Sequence, residues 1–115
     1  MPSANGDLRV PMLRIFDIGD PRASFGNEWR YFDLVAAMGR SDMLVQRAIR
    51  DYRHCRFASS EFTDGFDALV EWVETGVSPA GDDVLAAADP NFGCQFTSPT
   101  GHGGGLFPIP ACPAP

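Results

Sequence analysis

The stretch Gln46-Arg47-Ala48-Ile49-Arg50-Asp51-Tyr52-Arg53-His54-Cys55-Arg56-Phe57 reads as a strand that runs out into a loop carrying one histidine. An amphipathic helix follows directly. A strand end suits a reactive imidazole, because the sheet fixes the backbone while the loop exposes the ring. The plain alternative is a surface histidine that only titrates. The choice depends on what the rest of the chain brings to the same edge.

Upstream, Val10-Pro11-Met12-Leu13-Arg14-Ile15-Phe16 is a short β-rich apolar run, which predicts a buried strand. It stops at Asp17-Ile18-Gly19-Asp20-Pro21, a cluster of turn formers. Residues 27–38 then read as a helix, with Trp29, Phe32, Val35 and Ala36 at three- and four-residue spacing and Gly39 as its stop. The second strand is expected over residues 43–49. After His54, Ser59 or Ser60 can cap a helix whose first turn holds Glu61, where the helix dipole favours a carboxylate. Phe62, Phe66, Leu69, Val70 and Val73 form its apolar stripe, expected to be core together with Trp72, and Gly76 and Pro79 end it. Residues 82–88 predict one short helical turn.

The order strand, helix, strand, helix implies parallel strands joined by a crossover helix, hence an α/β fold. Two parallel strands do not make a stable sheet alone, since both faces and both edges need cover. The unit therefore reads as the last part of a larger sheet. Residues 1–9 are expected to be a flexible lead-in, residues 10–88 the structured portion, and residues 89–115 an irregular Gly/Pro-rich tail.

Composition narrows the function. The chain has 115 residues, at most one domain, and its 44% hydrophobic content with nine phenylalanines can supply a core. A net charge of -6 argues against a nucleic-acid partner or an anionic membrane surface. No apolar run approaches the roughly 20 residues needed for a membrane span, and no signal peptide is visible at the start. The cysteines are Cys55, Cys94 and Cys112, with no C-x-x-C pair, so neither a metal site nor another cofactor is expected. Cys94 and Cys112 bracket a tail that packing alone cannot order, and a disulfide between them is the sensible way to tie it. Cys55 is left without a partner here. An unpaired cysteine in a chain suited to an oxidising compartment, but without a leader, suggests that something upstream is missing.

Asp20 follows the first strand and His54 the second, so in a parallel sheet both lie at the carboxyl edge, where catalytic groups gather. An aspartate that orients a histidine, which in turn activates a serine, is the logic of acyl-transfer triads, and acid before histidine is the hydrolase order. Asp17 is a competing acid. No G-x-S-x-G occurs, so the nucleophile elbow is absent. Ser24 lies after the acid, in the wrong place for a nucleophile. His102-Gly103-Gly104-Gly105 matches an H-G-G-G oxyanion motif, but its position after the triad histidine makes it a loop with a chance match.

Taken together, Val10-Pro11-Met12-Leu13, Gly19-Asp20-Pro21, Glu28-Trp29-Arg30-Tyr31, His54-Cys55-Arg56-Phe57, Ala68-Leu69-Val70-Glu71-Trp72-Val73-Glu74-Thr75-Gly76 and Phe92-Gly93-Cys94-Gln95-Phe96-Thr97 resemble the C-terminal part of an α/β-hydrolase family of bacterial secreted serine hydrolases. The resemblance implies Asp20 as triad acid and His54 as general base. It further implies that Cys55 pairs with a cysteine beside the nucleophile, which lies in an N-terminal part of the fold missing here. Phe16-Asp17 stands where relatives carry His-Thr, and Arg53 replaces a glycine. The expectation is a C-terminal fragment of an exported serine hydrolase acting on a small-molecule carboxylic ester, inactive alone. The alternative is a non-catalytic subunit or binding module completed by a partner chain.

Overall fold

The apolar run over Met12–Asp17, interrupted by Arg14, and the stretch Leu44–Ile49, which buries Gln46 and Arg47 among its apolar residues, give the two strands, β1 and β2, of a parallel sheet. A computed structural model of the chain describes residues 5–20, 25–99, 102, 109, 110 and 112. Between the strands lie helix α1 (Phe25–Ala37) and a 3-10 turn at Ser41–Met43; after them come helix α2 (Ser59–Thr75) and a 3-10 turn at Val84–Ala86. The fold is α/β, with a two-stranded parallel sheet.

The register runs from Met12 opposite Leu44 to Asp17 opposite Ile49. Pairing continues past the strands: the Ile18 N–H donates to the Ile49 carbonyl and the Gly19 N–H to the Asp51 carbonyl, each at 2.9 Å. The two segments that follow the strands thus leave the carboxyl edge still tied together. On one face Phe16, Ala48, Val84 and Phe92 form a buried core, with Ile18, Phe25 and Phe32 packed against it. Phe25 stacks with Phe16 at 5.8 Å between ring centroids and meets Phe92 edge-on at 5.7 Å. Arg14 and Gln46 lie opposite each other in register and both reach the buried Glu28 of α1. That ion pair with its added amide satisfies the carboxylate inside the helix–sheet interface.

The outer edge of β2 is covered without a strand. The Asp82 N–H donates to the Gln46 carbonyl, the Asp82 carboxylate accepts the Ala48 N–H, and the Thr97 hydroxyl accepts the Arg50 N–H. Three successive outward-facing backbone positions are therefore satisfied by residues from the tail side of the fold. Among the described residues no strand pairs with the other edge of β1.

α2 lies against β1, where the buried Gly65 approaches Leu13 and Ile15. Trp72 is buried, as expected, and Gly76 closes the helix in the left-handed conformation with its N–H on the Trp72 carbonyl. Two expectations about α2 are corrected. Ala58, not a serine, holds the cap position, and Glu61 reaches back from inside the helix to accept the Ala58 N–H. The apolar stripe is not core: Phe62, Phe66 and Val73 are 63%, 59% and 66% exposed. A two-stranded sheet is too narrow to cover that face.

Residues 5–9 form neither helix nor strand, yet Leu8 is buried and Asp7 pairs with Arg40. Cys94 and Cys112 form a disulfide, and Cys55 is an exposed free thiol. No helix among the described residues is long and apolar enough to cross a membrane.

Candidate functional site

Parallel pairing decides what meets at the carboxyl edge. Asp20 lies one residue past the last ladder bond of the β1 side, and His54 three residues past its partner on the β2 side. The His54 Nδ1 stands 2.6 Å from Asp20 Oδ2. The Asp20 side chain is 7% exposed and that of His54 41%, so a nearly buried acid holds an imidazole that faces solvent. An ionised carboxylate only accepts, so Nδ1 carries the proton and donates; in the neutral ring Nε2 is then left with its lone pair. Cys55 Sγ lies 3.3 Å from Nε2, and its thiol is the donor there. Cys55 itself has a positive φ of 51°, the left-handed conformation, which turns the chain sharply just after His54.

Asp17, the competing acid, sits elsewhere. Its Oδ2 accepts the Arg56 N–H at 2.6 Å, and Oδ1 is buried without a hydrogen-bond partner. Burial raises its carboxyl to about 7, against the Arg56 N–H, and the nearby Asp51 charge adds to the rise. Arg53 turns back on Asp51: its backbone N–H and its guanidinium both bond that carboxylate, at 2.7 to 3.0 Å. The bulk of Arg53 therefore leaves the His54–Asp20 contact intact.

The loop that carries His54 is held by three buried carboxylates. Asp51 accepts the Arg53 N–H, Asp17 the Arg56 N–H, and Glu61 the Ala58 N–H. Glu61 also accepts the Ser98 N–H at 2.6 Å. Between two of these acids lies His102, its Nδ1 2.8 Å from Asp51 Oδ2 and its Nε2 2.6 Å from Glu61 Oε2. Burial alone would raise Asp51, but hydrogen bonds from Arg53 and His102 outweigh it and hold the carboxyl below the ordinary range. Burial likewise lowers His102, and its bonds to Asp51 and Glu61 overcome that and raise it.

By sequence alone His102 belongs to a chance motif match in a tail; folding places it in a side-chain cluster beside the His54 loop. Its glycine neighbours, residues 103–105, and Ser24 lie outside the described residues. A cleft of ≈ 360 Å³ opens nearby, lined among others by Gly19, Tyr52, Ile18 and Phe92. Asp51 and Glu61 were visible only as an acid past a strand and an acid in a helix's first turn. Nothing in their spacing links them to a histidine more than 40 residues on. Among the described residues no group of three or more His, Cys, Asp or Glu side chains is arranged to hold a metal ion.

The chain is similar to an o-phthalyl amidase of Xanthobacter agilis, 28% identical over 86 residues, which span 73% of this chain and 19% of that protein. The chain thus spans about a fifth of the length of the relative it matches. No protein-family model matches the chain. No solved structure matches it.

Proposed function

We propose that the chain is the C-terminal portion of an α/β-hydrolase-fold serine hydrolase, supplying the acid Asp20 and the base His54 of a Ser-His-Asp triad. One observation carries the reading: the 2.6 Å contact between a nearly buried aspartate and a solvent-facing histidine at the carboxyl edge of a parallel sheet. In that role His54 Nε2 takes the proton of a serine hydroxyl as its oxygen attacks the acyl carbonyl, then returns it to the leaving group. Water repeats the cycle on the acyl-enzyme, and Asp20 holds the tautomer throughout. The serine comes from the part of the fold that pairs with the open edge of β1. Cys55 takes a disulfide partner there, which draws its sulfur off Nε2 and frees that nitrogen. Substrates are small carboxylic esters, or amides, as the relative's name suggests. Export accords with the Cys94–Cys112 disulfide.

The coding sequence upstream of the Met1 codon tests this first. A signal peptide and a G-x-S-x-G segment, in frame or displaced by a frameshift, is the expected result. An unrelated intact gene with its own stop would overturn it. The isolated chain is expected not to turn over a p-nitrophenyl acyl ester, and turnover that disappears in His54→Ala would show that the nucleophile is not missing.

A second reading shares the same surface. The open β1 edge and the bare α2 stripe also suit a non-catalytic module completed by a separate partner chain. Solubility only on co-expression with an unrelated protein, with no nucleophile in it, would favour that reading.

A further inference from the structure

We infer that His102 is a positioning residue, which in its protonated form cross-links Asp51 and Glu61 and so locks the loop that presents His54. The inference rests on the reading of His54 as the working imidazole. It starts from hydrogen-bond inventory. The contacts at 2.8 Å and 2.6 Å involve both ring nitrogens of His102, and both face carboxylate oxygens. An ionised carboxylate has no proton to give, so each contact needs an N–H, and only imidazolium has two. Neutral His102 keeps one bond and turns a lone pair on the other oxygen. The clamp is therefore two-sided when charged and one-sided when neutral.

The surroundings make that charge matter. The groups facing His102 are Asp51 at the end of β2, Glu61 in the first turn of α2, and Asp17 at the end of β1, which feels its charge. Arg53 provides the other cation on Asp51. The His102, Asp51 and Glu61 side chains are 8%, 2% and 2% exposed, so water compensates little for a lost proton. The same two acids hold the loop backbone at Arg53 and Ala58, and the Asp51 carbonyl holds Gly19, next to Asp20. Release on one side thus reaches both members of the His54–Asp20 pair. The raised proton affinity of His102 agrees with this geometry.

The test compares the whole chain with His102→Gln, a neutral side chain at every pH whose two N–H donors share one nitrogen and so cannot replace N–H groups on opposite sides of a ring. Amide exchange is read at Arg53, Ala58 and Ser98, with α1 amides as internal reference. Below the His102 titration the variant is expected to exchange at these positions roughly tenfold faster or more, the scale of one hydrogen bond to a charged group. Above it, wild type should loosen and the two proteins converge, while α1 stays unchanged. A structural role alone would give a difference that persists at all pH values. That outcome, or equal protection throughout, overturns the inference. Should the variant not fold, wild type decides: loss of protection at Arg53 and Ala58 must share its midpoint with the His102 ring nitrogens observed by NMR, and separate midpoints refute it. None of these readouts is turnover. A working clamp in a chain whose gene holds no nucleophile would sink the hydrolase reading alone, and a flat profile beside an upstream G-x-S-x-G would sink this inference alone.

Discussion

Asp17 shows how much a single buried carboxyl can bias this protein. One oxygen accepts the Arg56 N–H, the other has no partner, and the carboxyl is raised to about 7. A folded value above the unfolded one means that the native state binds the proton more tightly. Stability is then highest below the unfolded value and falls as pH rises from about 4 through 7. Asp17→Asn keeps an acceptor for Arg56 and removes the charge. The expected outcome is little difference from wild type near pH 4 and an advantage of roughly 1–3 kcal/mol for the variant at pH 8, read from urea midpoints. Parallel pH curves for the two proteins would sink the idea. The neighbouring groups bear on the same profile. Asp51, held low, contributes stability present above the ordinary carboxylate range and lost as pH falls through it. His102, held high, contributes stability present below its ordinary value and lost as pH rises through the folded one. Wild type should therefore be most stable in mild acid. Asp20 and His54 were legible in the sequence because two strand ends in an alternating pattern define one edge. The Asp51–His102–Glu61 cluster was not, because it joins residues far apart in the chain through a tail with no periodicity.

Elements divide in the same way. β1, α1, β2 and α2 follow from apolar spacing and from Gly39 and Gly76, and their ends fall within about two residues of expectation. The start of α2 departs because Glu61 does the capping from within, a bond that depends on a rotamer rather than on a residue type at the cap. The cover on β2 was equally invisible, since Asp82 and Thr97 mimic a strand with side chains. Glu61 is where helix, loop and tail meet: it accepts the Ala58 and Ser98 N–H groups and faces His102. Glu61→Ala removes the acceptor from these half-buried donors and should cost about 1–3 kcal/mol in denaturant unfolding, with Glu61→Gln intermediate. A loss under about 0.5 kcal/mol, the usual scale of a surface change, would show that the junction carries no weight. The Cys94–Cys112 bridge closes a segment with a sequence separation of 18, and Cys94→Ser should cost about 3 kcal/mol on the loop-entropy account.

The whole molecule is lopsided. One edge of its sheet is sealed by loop residues and, among the described residues, the other is unpaired; beside the open edge lie Leu13 and Ile15, half-buried, under a helix that shows Phe62, Phe66, Val70 and Val73 to solvent. Sheets stable on their own generally have about three or more strands or fuller cover, so this surface is suited to association. Hydropathy alone labels such a stripe core, because it cannot tell a face buried within the chain from one that another segment must bury. The net charge of -6 opposes self-association, but that repulsion is screened over a Debye length of about 8 Å at physiological ionic strength, whereas apolar burial is not. The isolated chain should therefore associate in sedimentation velocity runs, more strongly as salt rises from about 0.01 to 0.15 M. Phe62→Lys with Phe66→Lys, both at exposed positions of α2, should shift it to monomer with little loss of helix signal. The same double variant should fail to join whatever segment completes the sheet. A wild-type chain that stays monomeric at all salt concentrations and binds no apolar dye would mean that two strands and two helices suffice, and that nothing needs to dock on β1.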